Sequence, residues 1–216
     1  MFRLVIFISI FCPFLFSQQD LATSARLIAD REVVAKGTAF RIGLELTMDD
    51  HWHTYWENPG SSGLPTTLEI EPIEGLTVGK LAFPLPKRFE DEYNMVTFGY
   101  DEKVLLIAEA VYNGPLPSLA LKGKATWLEC KEVCIPGEAG FELTLPIGEG
   151  KPANSALFDQ FQAQIPVPYS DSSPFTYTSD FQFEGETWRG LVTLNAKDGH
   201  SFTSTAEEIQ YFPLAI

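Results

Sequence analysis

The chain has 216 residues, with 15 basic against 29 acidic side chains and a formal charge of −14, the size of one domain or of one domain and part of another. That charge argues against nucleic acid, whose phosphates need a basic footprint, and against an anionic membrane surface. With 45% hydrophobic and 20% charged residues the composition is globular rather than disordered, and three cysteines are too few for a disulfide-stapled miniature fold.

Met1-Phe2-Arg3, the apolar run 4–16 and Ser17 before Gln18-Gln19-Asp20 are the parts of a secretory signal peptide, residues 1–17. The run is shorter than the about 20 apolar residues of a membrane-spanning helix. Cleavage near Ser17 takes Cys12 away and leaves Cys130 and Cys134 in an exported, oxidising compartment. No later stretch is apolar enough to span a bilayer.

Ala39–Met48 alternates bulky apolar with polar or small residues, the period of a strand with one buried face. Further strands are expected over 52–56, 66–70, 77–83, 104–112, 119–128 and 141–147. Asn58-Pro59-Gly60, Ser61-Ser62-Gly63, Glu74-Gly75, Asn113-Gly114-Pro115 and Ile135-Pro136-Gly137 punctuate them with turn-formers. The pattern predicts an all-β antiparallel sandwich or barrel, read as one sandwich over 24–148. One helix follows, within a helix-and-linker segment 152–174. Asn154 and Ser155 are placed to cap it, Leu157, Phe158, Phe161 and Ile165 share a face, and Pro166 stops it. After the linker 167–174, β character resumes through Phe175, Phe181, Phe183, Trp188 and 191–194 with an Asp198-Gly199 turn. Residues 175–216 are too few for a sandwich of roughly 100 residues, so they are expected to be part of a second β domain.

Cys130-Lys131-Glu132-Val133-Cys134 lies between an expected strand and a Pro-Gly turn. A three-residue spacer lets the sulfurs meet where the backbone turns. Closing so small a loop removes little unfolded-state entropy, which makes exchange a more interesting use than stapling. A plain structural disulfide in a secreted binding module remains the even alternative. A metal site is the third reading, because His51 and His53 with two thiolates would make four ligands, although the spacing matches no common zinc pattern. No nucleophile elbow, phosphate loop or paired-carboxylate signature is present. Glu90-Asp91-Glu92 reads as a solvated loop, and Trp52, Tyr55 and Trp56 read as core and rim packing.

The stretches 51–60 (HWHTYWENPG), 62–66 (SGLPT) and 127–137 (WLECKEVCIPG) resemble the N-terminal exported domain of the DsbD/ScsB-type thiol:disulfide interchange proteins. The resemblance is strong over 30–148 and continues weakly to Tyr211-Phe212-Pro213. It implies an immunoglobulin-like sandwich in the bacterial periplasm, within a protein anchored in the inner membrane. Such a domain relays electrons from a transmembrane partner domain and a thioredoxin-like domain. The recipients it implies are periplasmic thioredoxin-fold proteins such as disulfide isomerases and cytochrome c maturation thioredoxins. By position, Cys134 matches the cysteine that forms the mixed disulfide and Cys130 its resolving partner. Asp91, Glu92 and Tyr93 match a cap loop that shields the cysteines, with Asn94 where the DsbD branch has a second aromatic ring. The spacer is shorter than in that branch. The chemistry implies no cofactor beyond the redox-active disulfide. Lys131 favours a thiolate by charge, while Glu129 and Glu132 oppose it.

Overall fold

Alternation of apolar and polar residues produces long antiparallel strands throughout the computed structural model, which describes residues 21–185 and 187–202. In chain order the elements are β1 (Thr23–Ala29), β2 (Arg31–Ala35), β3 (Ala39–Met48), β4 (His53–Gly60), β5 (Thr67–Ile70), β6 (Leu76–Val78) and β7 (Lys87–Glu90). There follow β8 (Val96–Asp101), β9 (Lys103–Tyr112), β10 (Ser118–Cys130), β11 (Cys134–Gly148), β12 (Lys151–Pro152), α1 (Ser155–Gln162), β13 (Phe175–Glu184) and β14 (Thr187–Ala196). The expected leader 1–17, Cys12 and the tail 203–216 lie outside the described residues.

Two sheets face each other. The smaller has the order β1-β3-β9-β6, and the larger runs β12-β2-β11-β10-β4-β8-β7 with β5 added on β10. Between them Leu44, Leu46, Trp56, Phe98, Leu106 and Trp127 form one apolar cluster, and Phe40, Ile42, Tyr112, Leu119, Leu121 and Leu145 form another. This is an immunoglobulin-like β-sandwich, the fold that the family resemblance implies, and it agrees with the antiparallel sandwich or barrel that the patterning predicts. The Ala39–Met48 strand has the bounds its alternation predicts. The expected strand over 77–83 is instead the shorter β6 followed by an isolated bridge from Ala82 to Ile107. Pro84 and Pro86 cannot donate to a ladder at that point.

Helix α1 covers the outer face of the smaller sheet. Phe158 is fully buried and Phe161 nearly so, while Leu157 and Ile165 pack partly buried on the same cluster. Gly43 makes the room, since a Cβ there would meet both the Phe158 ring and Leu105. Asn154 does not cap with its side chain, contrary to the expectation. It sits at φ 52°, its carbonyl accepts from the Leu157 and Phe158 N–H groups, and its Nδ2 donates to the Ala29 carbonyl at 2.9 Å. The side chain therefore ties the helix start to the end of β1. Arg41 fastens the other side, donating to Asp30 Oδ2 at 2.8 Å and to Asp159 Oδ1 at 2.9 Å, with its guanidinium 5.3 Å from the Phe158 ring centre.

The segment β13–β14 is a two-stranded antiparallel hairpin paired through ten positions. Phe181, Phe183, Leu191 and Val192 on it are exposed.

Candidate functional site: a cysteine pair at a hairpin end

Strands β10 and β11 pair along thirteen positions, from Ser118 opposite Pro146 to Cys130 opposite Cys134. That register delivers the two cysteines to each other at the loop end of the hairpin. Their Cα atoms are 4.1 Å apart and their sulfurs are bonded. Lys131, Glu132 and Val133 form the connecting loop, with the Lys131 N–H donating to the Val133 carbonyl at 3.3 Å. The long ladder sets the geometry, and the disulfide adds little as a staple because the loop it closes is so short.

The two sulfurs have different surroundings. Cys130 is 3% exposed, whereas Cys134 is exposed and follows Val133, itself 64% exposed. The Tyr55 hydroxyl donates to Cys130 Sγ at 2.9 Å and lies 3.7 Å from Cys134 Sγ. Its position follows from β4: Cys130 pairs with His53 across the β10–β4 edge, and Tyr55, two residues on, points to the same face. The Ser61–Ser62–Gly63 turn holds the ring. Gly63 has φ 111° and a Cβ there would run into the Tyr55 ring, so only glycine allows this approach. Burial pushes the Tyr55 phenol up, and a hydrogen bond with Ser62 works against that rise. The phenol therefore keeps its proton and remains a donor.

A second layer of rings covers the first. His53 meets Tyr55 edge-on with centroids 5.3 Å apart and stacks on Phe89 at 4.8 Å and 22°. Phe89 comes from β7, two strands away, and shares a sheet face with Tyr55 and His53 through the β7–β8 and β8–β4 registers. Burial lowers the His53 pKa, and Asp101 partly opposes this. Asp101 in turn is bridged by Lys87 Nζ at 2.5 Å.

The remaining expected site residues occupy the tip of the β7–β8 hairpin. Asp91 Oδ1 accepts from the N–H groups of Tyr93 and Met95, both at 2.9 Å, and so closes the turn through its own side chain. Asn94 takes the left-handed conformation there, φ 60°. Glu92 and Tyr93 are exposed, Tyr93 to 73%. The ring that reaches the His53–Tyr55 pair is Phe89, not Tyr93. Of the run expected as a solvated loop, Asp91 and Glu92 do lie in an exposed turn, while Glu90, also exposed, is the last residue of β7. Tyr55, expected as packing, is at the sulfurs. Its signal was its place on one strand face with His53, which became meaningful only once β4 was set beside β10.

Two hollows flank the pair. An apolar one of about 470 Å³ is lined by Leu64, Pro65, Leu128, Pro136 and neighbours. An acidic one of about 580 Å³ is lined by Asp49, Asp50, His51, His53, Phe89, Asp101 and Glu102. Among the described residues, no group of three or more His, Cys, Asp and Glu side chains is arranged to hold a metal ion. In this state the two sulfurs that would join His51 and His53 are bonded to each other. No helix among the described residues is long and apolar enough to cross a membrane.

Comparison with known proteins then places the chain. A family profile described as the N-terminal part of the thiol:disulfide interchange protein DsbD matches residues 24–146. Among solved structures, the N-terminal periplasmic domain of ScsB from Proteus mirabilis aligns at 20% identity and a TM-score of 0.51, covering 83% of this chain and 82% of that one. The reduced N-terminal domain of Neisseria meningitidis DsbD aligns at 17% identity and a TM-score of 0.36, over 59% of this chain and 90% of that one. The complex of the DsbD and PilB N-terminal domains from the same organism aligns at 17% and 0.34, over 54% and 80%. No curated protein matches the sequence. Because the profile match spans more than half of the chain and includes both hairpin cysteines, the chain belongs to the family of DsbD N-terminal domains.

Proposed function

We propose that this chain is a periplasmic thiol–disulfide interchange domain that passes reducing equivalents through Cys130 and Cys134 to thioredoxin-fold proteins. Family membership supports the class of reaction. The observation that carries the mechanism is the asymmetry of the pair: an exposed Cys134 bonded to a buried Cys130 that accepts a hydrogen bond from Tyr55.

In-line attack requires access to one sulfur and a good leaving group at the other. A donor thiolate approaches Cys134 Sγ, the sulfur open to solvent. The Cys130–Cys134 bond breaks and Cys130 leaves with the electron pair as a thiolate. The Tyr55 hydroxyl already points at that sulfur, so it stabilises the charge as it develops; hydrogen bonds to charged groups contribute about 1.5–3 kcal/mol. The donor's second thiolate then attacks the mixed disulfide, releasing Cys134, and protons from the two donor thiols end on the pair. Delivery to a recipient runs the same steps in reverse, with Cys134 attacking and Cys130 resolving. Neither step calls for a metal or an organic cofactor.

The donor in this reading is a thioredoxin-like domain fed by a transmembrane electron carrier, and the recipients include disulfide isomerases and cytochrome c maturation thioredoxins. Residues 1–17 serve as the export signal, and residues 175–216 belong to a second β domain. The β7–β8 hairpin with Asp91, Glu92 and Tyr93 is the cap, and it moves aside when a partner docks. The test is stoichiometric. The reduced chain mixed with an oxidised thioredoxin-fold disulfide isomerase should lose two alkylatable thiols as the isomerase gains two. A chain that stays reduced beside the oxidised isomerase would favour the structural-disulfide reading.

A further inference from the structure

Glu129 is a fully buried carboxylate next in the chain to Cys130, and the exchange steps above do not use it. Its side chain points to the opposite face of β10 from Cys130, the interior face shared with Trp127. Oε2 accepts from Trp127 Nε1 at 3.0 Å and Oε1 accepts from the Ala22 N–H at 2.8 Å. Two donors converge, one on each oxygen. A carboxylate accepts both, whereas an amide accepts only one and turns its own NH₂ against the other. The site is therefore built for a carboxylate. Ala22 directly precedes β1 of the smaller sheet, so Glu129 also ties the cysteine-bearing end of β10 to the facing sheet.

We propose that Glu129 is a positioning residue of the redox pair: it fixes the Cys130 end of β10 and, as a negative charge one residue away on the opposite face of the strand, disfavours Cys130 as a thiolate. The inference rests on the interchange reading and names what regulates its leaving group. Tyr55 and Glu129 act on Cys130 in opposite directions, one from each face of the strand. Tyr55 donates a hydrogen bond to the departing sulfur, and Glu129 places like charge near it across a low-dielectric interior, where such repulsion is screened less than in water. A leaving thiol of lower pKa leaves faster, so neutralising Glu129 should speed reduction rather than slow it. In that reduction a dithiol reagent supplies two electrons and two protons. Its first thiolate bonds to Cys134 Sγ, Cys130 departs with the electron pair, and its second thiolate closes the reagent's own disulfide.

The experiment measures Cys130 directly. In Cys134→Ala of the chain without residues 1–17, and so without Cys12, the single thiol is titrated by its ultraviolet thiolate absorbance, alone and combined with Glu129→Gln. The titration midpoint should fall by about one pH unit in the double variant, equal to a tenfold larger thiolate fraction below the midpoint. In the otherwise unaltered chain, Glu129→Gln should raise the rate of reduction by dithiothreitol several-fold. A midpoint and rate that stay put while thermal stability falls would overturn the proposal and leave Glu129 a strut only. A second readout does not require the Glu129 variant to fold. In Cys134→Ala the Trp127 indole N–H resonance should shift with the Cys130 titration, because its acceptor senses the new charge, and a resonance that does not move would count against the proposal. Neither titration involves a recipient, so an isomerase that fails to react with the wild-type chain would count against the interchange reading and leave this inference separately decided.

Discussion

Both sheets of the sandwich have an outer face that is covered, and the two covers are built differently. On the smaller sheet α1 inserts Phe158 and Phe161 into a closed apolar layer, locked by Arg41 between Asp30 and Asp159. On the larger sheet, Tyr55, His53 and Phe89 form a stack of polar-edged rings held by a hairpin whose tip, residues 91–95, is exposed. The first cover buries the apolar layer beneath it, Leu105, Ile107 and Gly43 among others. The second excludes water from Cys130 and leaves Cys134 open. In the proposed function the helix is a structural lid and the hairpin a reactive one, because the hairpin supports the rings that cover the exchanging pair.

The comparison breaks or sharpens under substitution. Phe158→Ala should have the largest effect, lowering unfolding stability by about 3–5 kcal/mol in a denaturant titration, while the reduction rate of the disulfide stays that of the parent. A changed rate at matched folded fraction would show that the two covers are coupled. Tyr55→Phe should reverse the pattern. Losing a hydrogen bond to a developing thiolate, worth about 1.5–3 kcal/mol, slows attack on Cys134 about ten- to hundredfold, with little change in stability. Phe89→Ala removes the stack on His53, a contact of about 0.5–1.5 kcal/mol beyond its buried area. It should lower stability by about that amount and quicken alkylation of Cys130 in the reduced protein.

The smallest effect concerns pH. Burial depresses the His53 pKa, so the folded state resists a proton that the unfolded chain accepts. Stability should therefore fall as pH drops through roughly 6.5, the unfolded value, and level off below the folded value. Melting temperatures measured from pH 8 to pH 5, against His53→Gln, should show the slope in the parent and its reduction in the variant. A parent slope unaffected by the substitution would remove His53 from the account.

Much of the sandwich was legible in the chain, because its buried faces alternate cleanly: Ala39–Met48 is readable to both ends. Helix α1 was legible from the spacing of Leu157, Phe158, Phe161 and Ile165, although the role of Asn154 was not, since it depends on the Ala29 carbonyl from a distant strand. Strand β7 was hidden by charge. Lys87, Arg88 and Glu90 alternate with only one ring, and their partners are cross-strand pairs such as Lys87 with Asp101. The site divides the same way. Cys130 and Cys134 announce themselves by spacing, and the motifs around them point to the family. Tyr55 and Glu129 do not, because both act through long-range contacts, 75 residues from Tyr55 to Cys130 and 107 from Ala22 to Glu129. Residues at such separations become neighbours only when the register of β4, β10 and β1 is set.

The central claim is that an exposed Cys134 exchanges while a sheltered Cys130 resolves. The most direct measurement mixes Cys130→Ala with an oxidised thioredoxin-fold disulfide isomerase and maps the trapped adduct by peptide mass. The account predicts a mixed disulfide through Cys134 that accumulates, because no resolving sulfur remains. It also predicts a far lower yield from Cys134→Ala, whose remaining thiol is buried. Equal trapping by both variants, or trapping through Cys130 alone, would contradict it.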